Sequence, residues 1–195
     1  DTLKSGDLVL MDYAPDYMNY NTDVTRMFPA NGVFTPRQRE LYGVYLALYK
    51  ALLSSIRPGP ASVGLADAYK KMQGIMTTFR FTDAAIKAAA QRFVDGYARA
   101  RNSYGHMIGM DVHDCGDYYQ SDMSSIPLEA GNLLTIEPGI YISNERTDVP
   151  AEYRGIGIRI EDDVLVTATG YEGLTGDAPK EIAEIEAIVG AAKGR

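Results

Sequence analysis

Leu8-Val9-Leu10-Met11-Asp12-Tyr13-Ala14-Pro15-Asp16-Tyr17-Met18-Asn19-Tyr20-Asn21-Thr22-Asp23-Val24-Thr25-Arg26-Met27-Phe28 reads as two strands around a turn. Leu8 to Met11 is apolar and ends at Asp12, and Val24 to Phe28 makes a second run. The tyrosine-rich link between them carries Pro15, Asp16 and Asn19, as a hairpin connection does. With the turn midway, near Tyr17-Met18, Asp12 and Asp23 fall directly opposite each other. Cβ atoms at such positions lie about 4.5–5.5 Å apart. Two ionised carboxylates that close repel, unless a cation lies between them or one is protonated. Taken alone, two unrelated aspartates on a wet face are the more ordinary reading.

Downstream of the hairpin the periodicity changes. Thr35-Pro36-Arg37-Gln38 has capping-box spacing with proline at the first helical position. Leu41, Tyr45, Leu48 and Leu52 then recur at helical intervals up to Arg57-Pro58-Gly59-Pro60. A second helix is expected from about Ser62 to Met76, and a third from Thr82-Asp83 to about Arg99. Strand patterns return with Met107 to Met110, Leu133 to Ile136 and Ile156 to Val166, and the tail from Pro179 to Lys193 is an amphipathic helix. Strands, helices, strands and a helix in that order describe an α+β domain built on an antiparallel sheet.

The length of 195 residues suits one domain, or most of one, with about 70% of the unfolded surface buried on folding. A formal charge of -7 argues against nucleic acid and anionic membranes, which require clustered cations. No apolar run approaches the ~20 residues of a membrane helix. Cys115 is the only cysteine. An internal disulfide and a thiolate zinc site are therefore excluded, and a reducing, cytoplasmic compartment is compatible. Cys115 itself reads as a small buried filler.

Five further residues draw attention. Glu137 ends the apolar run Leu133 to Ile136, and an acid there is a loop cap, a ligand or a general base. Arg159 and Glu161, two apart in a strand, share the face opposite Ile158 and Ile160. If only the isoleucines are covered, they form a solvated pair. If both faces are covered, the guanidinium orients a carboxylate whose free lone pairs want a cation. His106 and His113 are the only histidines, and their odd spacing demands a bend, near Gly109, before both can reach one site. Asp12, Asp23, His106, Glu137 and Glu161 together offer four carboxylates and one imidazole, a donor set suited to hard divalent ions such as Mn²⁺. Spacing alone does not select these five from 26 acidic residues.

Four stretches resemble the pita-bread metallopeptidases, in that family's order. They are Asp12 to Arg26, Gly105-His106-Met107-Ile108-Gly109-Met110-Asp111-Val112-His113-Asp114, Thr135-Ile136-Glu137-Pro138-Gly139-Ile140-Tyr141, and Tyr153-Arg154-Gly155-Ile156-Gly157-Ile158-Arg159-Ile160-Glu161-Asp162-Asp163. Within the family they look most like the aminopeptidase P and prolidase branch. The resemblance implies the pita-bread (creatinase/aminopeptidase) fold, with helices on one side of an antiparallel sheet. It also implies two divalent metal ions, Mn²⁺ first and Co²⁺, Zn²⁺ or Fe²⁺ as alternatives. Asp12 and Asp23 would hold one, His106 and Glu137 the other, with Asp23 and Glu161 bridging. Glu137 would move the proton, His113 would steady the substrate, Arg159 would orient ligand carboxylates, and Tyr141 would line the pocket.

The implied reaction is removal of an N-terminal residue that precedes proline, or cleavage of Xaa-Pro dipeptides. The rivals are a methionine aminopeptidase-like hydrolase and a binding module that keeps the fold without catalysis. Two departures stand out. Asn102 occupies the place of a histidine usual in that branch, four residues before His106. The sequence also opens only eleven residues before Asp12. Residues 1–195 are therefore expected to be the C-terminal, ligand-bearing portion of a catalytic domain. An upstream segment, a second chain carrying it, or a homo-oligomer would then complete the sheet.

Overall fold

The computed structural model describes residues 2–98, 104–122 and 124–191. Asn102 lies outside them. The hairpin is present, with β1 (Leu8–Tyr13) antiparallel to β4 (Val24–Pro29) and a small second ladder, β2 (Asp16–Tyr17) with β3 (Tyr20–Asn21), at its tip. The turn, however, falls one residue later than expected. Met18 and Asn19 carry the two positive φ angles, 53° and 67°, as the two central residues of a type I′ turn do. The register moves with the turn, so Asp12 faces Thr25 and not Asp23. A slip of two residues keeps every side chain on its face, since strand side chains alternate with period two. The two aspartates are diagonal neighbours and no longer direct ones.

Helix α1 (Pro36–Leu53) starts as the sequence predicts. Thr35 and Gln38 exchange both hydrogen bonds of a capping box, and Pro36 occupies the first position. Leu41, Tyr45, Leu48 and Leu52 are fully buried, a stripe in which each side chain contributes about 1.5–3 kcal/mol. Helix α2 spans Ala61–Thr78, and α3 (Ala84–Tyr97) starts at Asp83, whose carboxylate accepts the Ala85 amide at 2.7 Å. The three helices pack together, and α3 lies against the later strand Gly139–Tyr141.

The second half forms β5 (Leu133–Ile136), β6 (Gly139–Tyr141), β7 (Gly157–Arg159), β8 (Asp162–Val166), β9 (Tyr171–Gly173) and α4 (Ile182–Ala191). All ladders are antiparallel, in the order β5-β8-β9 and β6-β7. Three expectations need correction. The run Ile156 to Val166 is not one strand. It breaks at Ile160-Glu161, and its halves belong to different ladders because β7 pairs with β6 while β8 pairs with β5. Met107 to Met110 is not a regular strand either. Met107 makes a single bridge to Leu134 and the chain then turns back. Cys115 is exposed, not a buried filler, because it sits on this irregular loop. Among the described residues no helix is long and apolar enough to cross a membrane.

The buried face of α1 also carries polar atoms. The Tyr45 hydroxyl donates to the Pro138 carbonyl and accepts the Ile160 amide at 2.8 Å, and the Tyr49 hydroxyl donates to Asp162 at 2.7 Å. A buried phenol must find partners, and here the partners lie at the ends of β5 and β8. The helix thus ties together the two strand ends from which Glu137 and Glu161 emerge.

Candidate metal centre

Each candidate residue stands where regular structure stops. Asp12 lies near the end of β1, and Asp23 in the link just before β4. Glu137 follows β5, and Glu161 fills the break between β7 and β8. The backbone links these places directly. Glu161 N–H donates to the Thr25 carbonyl at 3.1 Å, and Thr135 N–H donates to the His106 carbonyl at 2.8 Å. Gly105 permits the second approach, because a Cβ there would stand 2.0 Å from the Thr135 carbonyl oxygen.

The five residues expected from the sequence do come together. Donor atoms of Asp12, Asp23 and Glu161 lie within 4.8 Å of one another, as do those of His106, Glu137 and Glu161, and those of Asp23, His106 and His113. The first two groups share Glu161. The bend near Gly109 is real, and it brings the His106 and His113 rings to 4.3 Å between centroids. His106 is mostly buried and His113 is exposed.

Electrostatics give the cluster its meaning. Glu161 is 1% exposed and its pKa is pushed up to about 8 by burial first, then by the charges of Glu137, Asp23 and Asp12. Asp23 is raised by burial and by Asp12. Asp163, immediately behind, is raised to about 6 by burial and by Asp23 and Asp162. Among the described residues Arg159 is the one guanidinium that pairs with a carboxylate of the group. It donates to Asp12 and, at 3.2–3.3 Å, to the Thr25 hydroxyl, which in turn donates to Glu161 Oε2 at 2.7 Å. Thr25 was not apparent as a site residue in the sequence, and only the register places it opposite Asp12.

Among the described residues two buried side-chain atoms have no hydrogen-bond partner, His106 Nε2 and Glu161 Oε1. Orphaned buried polar atoms of this kind require an explanation. His106 Nδ1 lies 3.0 Å from the Met107 carbonyl. Donation there, an assigned tautomer, leaves the Nε2 lone pair facing Asp23 at 3.5 Å and Glu137 at 3.4 Å. Lone pairs from several strand ends converge at this point. Divalent cations fit that arrangement in charge, donor type and geometry.

The sequence supports the same assignment, with residues 1–168 matching the family model for metallopeptidase family M24. The chain belongs to metallopeptidase family M24. It is 40% identical to the Xaa-Pro aminopeptidase of Escherichia coli (strain K12) over 194 residues, which is 98% of this chain and 43% of that protein. It is 39% identical to Xaa-Pro aminopeptidase 3 of Rattus norvegicus over 188 residues, covering 95% of this chain and 36% of that protein. Among solved structures, the Pseudomonas aeruginosa aminopeptidase PepP superposes with a TM-score of 0.80 at 37% identity, over 100% of this chain and 44% of the other. The E. coli aminopeptidase P with the inhibitor Pro-Leu gives a TM-score of 0.78 at 38% identity, over 99% and 43%. The chain therefore spans less than half the length of these M24 relatives. It holds a cluster of carboxylates and histidine suited to a pair of divalent metal ions.

Tyr141, expected beside the substrate, is exposed, and its ring lies over Gly139 and Gly157. A Cβ at Gly139 would stand 2.3 Å from that ring. The nearby phenol helps keep the Arg159 guanidinium charged, against the effect of burial.

Proposed function

We propose that this chain carries the metal centre of an Xaa-Pro-directed exopeptidase, releasing an N-terminal residue that precedes proline or splitting Xaa-Pro dipeptides. The observation that supports it is the pair of unpartnered buried atoms, His106 Nε2 and Glu161 Oε1, inside a framework 40% identical to an Xaa-Pro aminopeptidase. Asp12 and Asp23 would hold one cation and His106 and Glu137 the other, with Asp23 and Glu161 able to serve both. Mn²⁺ is the proposed ion, since an oxygen-rich set with one nitrogen suits it.

Bound cations of this kind lower the pKa of water and polarise a carbonyl oxygen. The protein's part is proton movement and orientation. The Glu137 side chain, 33% exposed, is reachable by water and substrate. It takes a proton from the attacking water and returns it to the leaving amine. His113 presents an exposed ring beside His106 and donates to the substrate carbonyl oxygen as charge develops there. Arg159 holds Asp12 and Thr25 in place.

The test is hydrolysis by the intact, Mn²⁺-loaded protein of Xaa-Pro peptides against Met-Xaa peptides of equal length. Release of the residue before proline, abolished by chelation and restored by Mn²⁺, is expected. Turnover of Met-Xaa peptides alone would move the reading to the methionine aminopeptidase branch. Two bound ions without turnover of either would leave a binding module.

A further inference from the structure

Asp163 is a buried acid beside the centre to which the proposed reaction gives no task. It is 3% exposed, and among the described residues no lysine or arginine pairs with it, whereas its neighbour Asp162 pairs with both Arg26 and Lys180. What Asp163 does contact is the backbone of Asp23. Its two carboxylate oxygens accept the Asp23 N–H, at 3.1 and 3.3 Å.

Among the described residues that amide has no other acceptor. The β1–β4 ladder ends with Tyr13 facing Val24, so Asp23 stands one residue outside it. Asp23 is itself buried, at 7% exposed, and a buried N–H without an acceptor is costly. Asp163 is well placed to serve it because its own backbone is pinned. Its N–H donates to Thr175 Oγ1 at 3.1 Å, and its carbonyl accepts the Leu174 amide at 2.9 Å. On the other side it faces Thr135 across the β5–β8 ladder, and Thr135 carries the His106 backbone.

We propose that Asp163 is a positioning residue of the metal centre: by accepting the Asp23 amide it fixes the peptide that aims the Asp23 side chain between Asp12 and His106. The inference rests on the two-cation reading above. Side chains that hold metal ligands in place typically change metal affinity 10–100-fold when removed.

The experiment uses the intact protein with Mn²⁺ as the probe, followed by titration calorimetry and by the magnetic coupling of the ion pair in electron paramagnetic resonance. Asp163→Leu keeps the branched side-chain skeleton and removes the acceptor, and Asp163→Asn keeps an acceptor oxygen. Mn²⁺ affinity should fall about 10–100-fold in Asp163→Leu, with loss of the coupled signal, and Asp163→Asn should recover most of both. Recovery by the amide distinguishes positioning from mere packing, which would alter thermal stability and leave the coupled spectrum unchanged. Asp163→Ala replaces the leucine variant should the latter not fold when chelated. If wild type binds two Mn²⁺ and the variant lacking an acceptor binds them equally well, the positioning role is refuted alone. It is refuted equally if Asp163→Asn is as impaired as Asp163→Leu. If wild type binds no Mn²⁺, the function proposed above fails and the positioning role with it.

Discussion

Asp162 and Asp163 are adjacent and equally buried, yet they live in opposite electrostatic worlds. Neighbours in a strand point to opposite faces. On one face Asp162 is surrounded by donors: Arg26 at 2.6 Å, Tyr49 at 2.7 Å, Thr175 at 2.8 Å and Lys180 at 2.9 Å. On the other, Asp163 and Glu161 join Asp12, Asp23 and Glu137, against the guanidinium of Arg159. The first group is neutralised from within the chain and is structural. The second has an excess of negative charge that burial makes expensive, and it fits cations from outside.

The largest effect expected from breaking this contrast is on metal content. Glu161→Ala or Asp23→Ala removes a carboxylate proposed to be shared by both ion positions, so elemental analysis should show both ions lost and the proposed hydrolysis abolished. One ion retained at full occupancy would disprove the sharing. Next comes Glu137→Gln, which keeps shape while removing the base. In protein confirmed to be metal-saturated, kcat should drop about 10²–10⁴-fold. A rate near wild type would assign the proton to another group.

On the neutralised face, Asp162→Ala strands Arg26 and Lys180 without a counter-charge. A loss of about 3 kcal/mol is expected in denaturant unfolding, whether or not Mn²⁺ is present. A variant as stable as wild type would show that this network contributes nothing.

The smallest effect sharpens the comparison through pH. Free of metal, Glu161 has its pKa raised from 4.5 to about 8, and Asp163 from 3.8 to about 6. The folded state then binds more protons than the unfolded chain between about pH 3.8 and 8. Stability of chelated protein is fully present below that window and falls as pH rises through it. With cations bound the acids stay ionised and protons compete with metal, so the slope should reverse. Thermal unfolding at several pH values, with chelator and with Mn²⁺, checks the two signs.

Much of the arrangement is legible in the sequence. Local chemistry suffices for the capping box at Thr35, the buried stripe of α1 and the α+β order of elements. The motif stretches name the residues that meet at the centre. The register of the hairpin, the break at Ile160-Glu161, the exposure of Cys115 and the part played by Thr25 are not legible in this way.

The sequence by itself determined which side chains are available, where the helices start, and that the two histidines can share a site only through a bend. Only the tertiary structure decided that Asp12 faces Thr25, that Asp162 is neutralised while Asp163 is not, and that Tyr45 and Tyr49 tie the ends of β5 and β8. The physical reason is range. Capping and periodicity act within a few residues, whereas Thr25 meets Glu161 across 136 positions and Asp23 meets Asp163 across 140. Contacts of that span exist only after the strands have paired and α1 has packed on their ends.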